Sequence, residues 1–320
     1  MTIYWAGGEM SSFVPSDGSM YEETGGFFDN RYARCAMYMG GSPGSTLASE
    51  PYGYGTDYWI HFNLASSGGP NASYPMASFY NASGTEVYRL VASGLGNTEV
   101  TGFYWNGSAF VQVGAGFSFT NGQVSAFDFH LNSTRYEAYC AGTLVDSANA
   151  TMTAVSQISR HTFYQANAYK YYSECIVADL PTLGYRLQTL AITANGDQQG
   201  WGSNVSPAYE AVNEIVYNDG IYIDTPTANE VSTFAQAATL VSTPSAVVVT
   251  ARAAAGSTGP QHLQLALEPV GNSTVYFSGN MTLGSGFEPF VNVWPTNPNG
   301  NVAWTTAAVQ DILYGVKSIA

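Results

Sequence analysis

The chain of 320 residues and 34.1 kDa is long enough for two domains of ordinary size, each with its own hydrophobic core. Its net charge of −14 comes from 23 acidic and 9 basic residues without any Lys/Arg cluster, which argues against a groove that follows nucleic-acid phosphates. No apolar run approaches the roughly 20 residues of a membrane-spanning helix. Since only 10% of the residues are charged and 14% are aromatic, we expect a β-rich protein with a neutral polar surface.

The N-terminal sequence MTIYWAGGEMSSF has neither the basic nor the apolar region of a secretory signal. Cys35, Cys140 and Cys175 are far apart and form no CxxC pair, so neither a disulfide framework nor a structural zinc site is predicted. We therefore expect synthesis in a reducing cytoplasm, with the cysteines as packing residues.

Short strand-like segments separated by turn signals recur through the first half of the chain. This spacing is typical of a sandwich or barrel and not of alternating strands and helices. Asn106-Gly107 lies between two alternating runs and predicts a hairpin with a type I′ turn. The segments are residues 32–39, 58–64, 77–81, 86–92, 99–105, 109–113, 123–131 and 173–178.

The segment GQVSAFDFHLN predicts a strand with two unlike faces. Phe127 and Phe129 fall on one face, whereas Asp128 and His130 fall on the other. We expect the first face to belong to the core and the second to contact solvent.

A break at Asp179-Leu180-Pro181 separates these segments from a second series, because proline cannot donate to a sheet ladder and restricts the preceding residue. We expect one domain at 1–182 and another at 183–320. The segments 246–253 and 262–268 are predicted as two long strands that oppose each other across a Gly/Pro turn. The other strand candidates of the second domain are 186–193, 214–217, 221–224, 231–235, 274–278 and 287–294.

The last residues, NPNGNVAWTTAAVQDILYGVKSIA, predict a short helix and a final strand. Thr305 is a plausible N-cap for a helix of about two turns, although the capping box lacks its Glu or Gln. Leu313, Gly315, Lys317 and Ile319 then have the spacing of a strand. The fold class is therefore all-β, with two jelly-roll-like β-sandwich domains and one short helix near the C-terminus.

This tail and the segment VVVTARAAAGSTGPQHLQLAL at 247–267 resemble the C-terminal domain of structural proteins of tailed bacteriophages and gene-transfer-agent-like particles. The segment at 173–190 resembles the junction before such domains. The first half is similar in fold type to concanavalin-like, laminin-G-type sandwiches. The resemblance implies a virion structural protein, made in the bacterial host cytoplasm and exposed on capsid or tail as a fibre, spike or decoration.

Enzymatic activity is not expected. Glycoside hydrolysis needs two carboxyl groups at a fixed separation, and the candidate pairs are poorly placed. Glu210 and Glu214 lie beside the boundary turn, and the adjacent Glu22 and Glu23 point to opposite faces of a strand. We interpret all four as surface carboxylates and predict no catalytic residue.

No cofactor or metal site is predicted either. The four histidines are isolated in sequence, and the zinc-protease, P-loop and dinucleotide motifs are absent. Asp29-Asn30 and Asp197 lie in loop-like contexts that could suit calcium, but turn formation is the simpler interpretation of these residues.

Loops rich in aromatic residues are the remaining candidates for recognition, because sugar rings stack on flat aromatic faces. They supply the candidate glycan or partner contacts Tyr52, Tyr54, Tyr104, Trp105 and Trp201. The alternative role for these side chains is core packing or subunit contact.

Two hypotheses follow. The first is a non-enzymatic virion protein that forms homo-oligomers, contacts other virion proteins and contacts host-surface carbohydrate. The second is an extracellular carbohydrate-binding module or an inactive glycoside-hydrolase-like protein. Neither hypothesis involves a nucleic acid or a membrane.

Overall fold

The computed structural model of the chain describes residues 2–320, except 17–19, 41–43, 54, 68–72, 95–97, 166–168, 237–238 and 272–273. The chain is almost entirely β-structure, which confirms the predicted all-β class. It divides into two compact units, Met1–Leu187 and Gln188–Ala320, a few residues beyond the break expected at Pro181. In the part of the chain that the structure describes, no helix is long and apolar enough to span a membrane.

In its described residues, the first unit is built from antiparallel strands and two short 3-10 helices at Met10–Ser12 and Thr153–Gln157. Most of its strands carry a buried apolar face. In chain order they are β1 (Ile3–Gly7), β2 (Val14–Pro15), β3 (Met20–Glu23), β4 (Ala36–Met39), β5 (Thr46–Ala48), β6 (Asp57–Ser67), β7 (Tyr74–Asn81), β8 (Glu86–Ser93), β9 (Glu99–Trp105), β10 (Phe110–Ser118), β11 (Ser125–Asn132), β12 (Arg135–Cys140), β13 (Thr143–Asn149), β14 (Ile158–Tyr164) and β15 (Tyr169–Ala178).

These strands form two sheets. The first sheet has the order β13-β12-β11-β6-β15-β4-β3, with β1 also paired to β15, and the second has the order β10-β9-β8-β7-β14-β5-β2. Aromatic side chains fill the space between them: the ring of Phe163 in the second sheet lies 4.3 Å from that of Tyr172 and 5.3 Å from that of Phe62 in the first. The inner faces therefore form one core, as in a β-sandwich.

The predicted hairpin at Asn106-Gly107 is confirmed, because β9 pairs with β10 across it. Its turn is longer than the two-residue type I′ turn expected. The Asn106 carboxamide oxygen accepts hydrogen bonds from the backbone N–H groups of Ser108 and Ala109, and Gly107 has a φ of 100°. A type I′ turn would need two residues of positive φ, whereas this loop has one, Gly107. The Asn106 side chain closes the loop through an Asx turn.

The second unit contains ten strands in its described residues, together with a 3-10 helix at Ala208–Ala211 and an α-helix, α1 (Thr306–Gln310). The strands are β16 (Ile192–Gln199), β17 (Gly202–Ser203), β18 (Ile223–Asp224), β19 (Val231–Gln236), β20 (Val247–Ala253), β21 (His262–Pro269), β22 (Tyr276–Phe277), β23 (Met281–Thr282), β24 (Glu288–Trp294) and β25 (Ile312–Ile319).

The main sheet of this unit has the order β16-β19-β25-β21-β22, with β23 also paired to β21, while β20 pairs with β24. The expected pairing of β20 with β21 is wrong, because the two strands lie in different sheets. Val247 and Val249 of β20 belong to the same buried cluster as Leu265 of β21. The two strands therefore face each other across the core, because the connection between them runs from one sheet to the other.

Other expectations for the second unit had mixed outcomes. Residues 214–217 are not a strand, and β16 begins at Ile192, so 186–191 does not belong to a strand. The tail follows the prediction more closely: the hydroxyl of Thr305 accepts a hydrogen bond from the Ala308 N–H at 3.1 Å, and β25 follows α1. The helix is shorter than the expected two turns.

A buried lysine makes the stability of the first unit depend on pH. The Lys170 ammonium donates to the Ser66 hydroxyl at 2.7 Å, and burial lowers the pKa of Lys170 to about 7. The unfolded chain therefore binds more protons than the folded one between pH 7 and the ordinary lysine pKa. We expect the first unit to become more stable from pH 7 to pH 9, by at most about 1.4 kcal/mol per pH unit.

Urea unfolding at several pH values between 7 and 9 measures how the free energy of unfolding of the first unit changes with pH. The substitution Lys170→Met keeps the aliphatic stem and removes the titrating group, so the slope should disappear in that variant. An unchanged slope would show that another group causes the dependence.

Candidate functional site

The five candidate contact residues do not form a common site. The Tyr52 hydroxyl lies 3.4 Å from Nδ1 of His161, and burial raises the pKa of Tyr52 well above its ordinary value. Tyr52 is thus a packing residue of the first unit. Tyr54 lies outside the described residues.

The other candidates are also engaged in packing. Tyr104 and Trp105 are half-buried in β9 of the second sheet, where the Trp105 ring lies 5.3 Å from that of Phe110. Trp201 belongs to the second unit, donates its indole N–H to the Glu230 carbonyl at 3.0 Å and packs against that unit's core. Trp105 and Trp201 thus contact other residues over part of their surface, while a role of the partly exposed Tyr104 in recognition stays a prediction.

Polar side chains gather instead on the outer face of the first sheet, the face that points away from the sandwich core. His61 and Asn63 of β6 lie opposite Asp128 and Ala126 of β11, while the intervening Phe62 and Phe127 face the core. The period-2 alternation of these strands therefore separates an aromatic inner face from a polar outer face.

This outer face is not solvated at Asp128 as the sequence suggested. Asp128 is 2% exposed and His61 is 1% exposed. Thr182, in the segment after β15, donates its hydroxyl to Asp128 at 2.6 Å, and Nδ1 of His61 lies 2.9 Å from the same carboxylate oxygen. A segment distant in sequence covers the face, which strand alternation alone cannot predict.

The group of Thr182, Asp128 and His61 is not a nucleophilic triad. In such a triad the imidazole stands between the hydroxyl and the carboxylate, so that it can accept the hydroxyl proton. Here the carboxylate stands between the hydroxyl and the imidazole. The arrangement holds the covering segment in place and does not activate Thr182.

A second polar group is centred on Glu174, whose side chain is 0% exposed. Glu174 lies at a bulge in β15 and has a φ of 54°, in the left-handed region that non-glycine residues rarely adopt. Its carboxylate accepts both Nε and Nη2 of Arg186 at 2.6 Å and the carboxamide N–H of Asn63 at 2.8 Å. Strained conformations of this kind concentrate at functional sites.

An open cavity of about 760 Å³ lies over this group. Its walls combine hydrogen-bonding side chains with small and apolar ones: Thr24, Gly25, Gly26, Phe28, Asp29, Asn30, Arg31, Asn63, Val124, Ala126, Ala141 and Arg186. The Asn63 side-chain oxygen is buried and has no hydrogen-bond partner among the described residues. The cavity thus has a built polar floor that includes one unsatisfied acceptor.

The charges of the cavity are balanced. Arg31 pairs with Asp29 through contacts of 2.6 and 2.9 Å, and Arg186 also reaches Asp29 at 3.3 Å. The hydrogen bonds from Arg31, together with those from Arg186, hold the pKa of Asp29 well below its usual range despite the opposing effect of burial. Asp29 is therefore ionised at physiological pH and cannot serve there as a general acid.

The carboxylates suggested by the sequence do not form an acid–nucleophile pair either. Glu22 accepts the Met10 N–H within the first unit, whereas Glu23 accepts the Gly25 N–H. In the second unit, Glu214 accepts the Asn218 N–H and Glu210 is exposed on the 3-10 helix. Glu22 is only 5% exposed, so the interpretation of all four groups as surface carboxylates is wrong for this residue.

Within the described ranges, no group of three or more His, Cys, Asp or Glu side chains is arranged to hold a metal ion. Asp29, which was interpreted as a turn former rather than a calcium ligand, accepts the Tyr32 and Ala33 N–H groups with its carbonyl and directs its side-chain oxygens to two guanidinium groups. The cavity therefore offers neutral and charged hydrogen-bonding groups, not a cation cage.

No protein-family model matches the chain, and no curated protein matches it. Solved structures share parts of the fold at low identity. A cellulose-induced protein, Cip1, is 12% identical, with a TM-score of 0.42 over 55% of this chain and 94% of its own. A carbohydrate-binding module, CBM66 from Bacillus subtilis, is 12% identical, with a TM-score of 0.36 over 51% of this chain and 93% of its own.

The receptor-binding domain of a botulinum neurotoxin C/D mosaic serotype is 9% identical, with a TM-score of 0.39 over 70% of this chain and 66% of its own. At such identities and TM-scores these likenesses assign neither a family nor a function to the chain.

Proposed function

We propose that the first unit binds carbohydrate, without cleaving it, in the cavity on the outer face of its first sheet. The observation that carries this proposal is the cavity lining, which includes Arg31, Arg186 and Asn63, whose side-chain oxygen has no hydrogen-bond partner among the described residues. Sugar hydroxyls both donate and accept hydrogen bonds, so they match a site that presents both kinds of group at fixed positions.

The apolar part of the wall supports the same ligand class. Phe28 lines the cavity beside Gly25, Gly26 and Ala126, which leave room for a ring to approach. A sugar has an apolar C–H face as well as hydroxyls, and an aromatic wall beside a polar floor contacts both. Because hydrogen bonds from arginines lower the pKa of Asp29, this carboxyl group cannot be the protonated acid that glycoside hydrolysis requires.

Affinity electrophoresis of the full chain tests the proposal, with gels that contain a mixed-linkage glucan, a galactomannan, an arabinoxylan or a dextran. At least one polymer should retard the protein. Arg31→Ala should weaken that binding roughly tenfold, because it removes charge-assisted hydrogen bonds to the ligand. The polymer should gain no reducing ends on prolonged incubation.

Arg135→Ala is the matched control, because Arg135 is also an exposed arginine paired with a carboxylate and does not line the cavity. Its retardation should equal that of the unchanged protein. If no polymer retards the protein, or if both variants bind as tightly as the unchanged chain, the cavity is not a carbohydrate site.

A second proposal concerns the setting of this binding. We infer from the phage resemblance of residues 247–267 and 297–320 that the second unit attaches the protein to a virion, where the chain forms homo-oligomers. Exposed apolar side chains of that unit support a docking role, with Val216 53%, Val270 57% and Val302 54% exposed. Immunogold microscopy with an antibody against residues 1–180 tests it: gold on capsid or tail is expected, and unlabelled particles would contradict it.

A further inference from the structure

A row of tyrosines crosses the outer face of the first sheet next to the cavity. We call Tyr21, Tyr38, Tyr169 and Tyr171 the tyrosine ladder. Tyr21 of β3 lies directly opposite Tyr38 of β4, and Tyr38 lies opposite Tyr171 of β15. The ring of Tyr38 is 4.5 Å from that of Tyr21, 5.2 Å from that of Tyr171 and 5.7 Å from that of Tyr169.

The ladder does not belong to the sandwich core. Its neighbours in the same strands, Met37 and Tyr172, are buried and face inward, so the tyrosines face outward. Tyr21 is 47% exposed and Tyr169 is 49% exposed. Tyr38 is half-buried and Tyr171 is 9% exposed, so the two well-exposed rings of the ladder lie on β3 and β15, on either side of β4. Large exposed aromatic rings this close together are candidates for contact with a ligand.

The ladder is continuous with the cavity. The Phe27 ring stacks on Tyr171 at 4.1 Å with an interplanar angle of 18°. Phe27, Phe28 and Tyr38 pack on a small buried cluster on this outer face that contains Ala65 and Tyr171. Phe28 also lines the cavity, as does Asn63, which is two residues from Ala65 on the same face of β6.

The electrostatics of this surface favour an uncharged ligand. Both arginines of the cavity are already paired with Asp29 or Glu174, so they leave no excess positive charge. Glu23 is close enough to the ladder to raise the pKa of Tyr38 and Tyr171, although burial is the largest cause of both shifts. The whole chain carries a net charge of −14 and repels polyanions.

We propose that the ligand is an extended, uncharged polysaccharide chain, which fills the cavity at one point and continues across the tyrosine ladder. This inference rests on the proposed carbohydrate binding and adds the length and charge class of the ligand. Successive sugar rings would stack their C–H faces on the half-exposed rings of Tyr21 and Tyr169, while the hydroxyls of one unit meet Asn63 and Arg31.

The test uses the full chain and a length series of gluco-, manno- and xylo-oligosaccharides from two to six units, measured by calorimetry. The variants are Tyr21→Ala, Tyr169→Ala and the double substitution. Tyr222→Ala is the matched control, because Tyr222 is 40% exposed and lies in the second unit. Unchanged melting temperatures would show that all variants are folded.

Affinity should rise with oligosaccharide length in the unchanged protein. Each ladder substitution should weaken binding of the six-unit ligand about three- to tenfold, as expected for a lost aromatic stacking contact, and should leave two-unit binding unchanged. Tyr222→Ala should have no effect. Alginate and polygalacturonate should bind more weakly than the neutral polymers.

Four results would each overturn a different part of the proposal. If Arg31→Ala abolishes binding but the ladder variants bind every length normally, the ladder proposal is wrong and the cavity proposal stands. Tighter binding of alginate would refute the uncharged class. If none of the oligosaccharides or polymers binds, the proposed function itself is wrong. If a ladder substitution instead dissociates an oligomer, the ladder is a contact between copies of the chain.

Discussion

Deletion of residues 312–320 is expected to unfold the second unit while the first unit stays folded. This deletion removes β25, which pairs with β19 on one side and with β21 on the other. Both neighbours would lose a row of hydrogen bonds in the middle of the main sheet. Ile312 and Leu313, which are 2% and 5% exposed, would also leave the core.

An ordinary domain has a free energy of unfolding of only about 5–15 kcal/mol. We expect the deletion to cost the second unit more than this, because a central strand contributes both backbone pairing and core packing. Calorimetry of the full and the truncated chains measures it, followed by limited proteolysis with mass spectrometry. The truncated chain should lose one thermal transition and yield a resistant fragment close to residues 1–187.

Removal of the exposed Ala320 alone is the control for this deletion and should change neither transition. A truncated chain that keeps both transitions would mean that β25 is dispensable. The predicted role of the tail as a final, completing strand would then be wrong.

The substitution Glu174→Ala is expected to destabilise the first unit by about 3 kcal/mol. It removes a buried carboxylate that is bonded to Arg186 and Asn63, and breaking a buried ion pair by removal of one partner costs about 3–5 kcal/mol. The lower end applies because the Arg186 side chain is 24% exposed and keeps its contact with Asp29.

The backbone of Glu174 gives a sharper comparison. Its φ of 54° is unfavourable for any residue with a Cβ by about 1–2 kcal/mol, and glycine avoids this cost. We therefore expect Glu174→Gly to destabilise less than Glu174→Ala, although it removes even more of the side chain. Urea unfolding of the full chain, followed by pulse proteolysis of the first unit, measures both variants.

Arg135→Ala serves again as a control, since its side chain is 54% exposed and its ion pair should contribute less than about 1 kcal/mol. Equal destabilisation by the alanine and glycine variants would show that the backbone at Glu174 is not strained. A loss below about 1 kcal/mol for both would contradict the structural role of the ion pair.

Local sequence signals predicted much of the fold. The alternation in GQVSAFDFHLN predicted which residues of β11 face the core, and Thr305 predicted the start of α1. Both signals depend only on neighbouring residues. By contrast, seven described strands of the first unit were missed: β1, β2, β3, β5, β12, β13 and β14. Among them, β13 has an exposed, polar pattern, and β14 contains Arg160 and His161 within its run.

The candidate site was not predictable in the same way. Asn63, Glu174 and Arg186 meet through a bulge in β15 and a covering segment, and no periodic pattern marks either feature. One signal was present: Glu174 is an acidic residue within the apolar run YYSECIVA, where an ionised side chain must have a buried partner. The aromatic residues that were expected to make contacts lie elsewhere: Tyr52, Trp105 and Trp201 contact other side chains, Tyr104 is half-buried, and Tyr54 lies outside the described residues.

The most direct measurement is a crystal structure of the full chain soaked with the six-unit oligosaccharide that binds best. The account predicts density for a sugar between Phe28, Arg31 and Asn63, continuing over Tyr21 and Tyr169. Sugar density at another place on the first unit, such as beside Tyr104 and Trp105, with an empty cavity would contradict it.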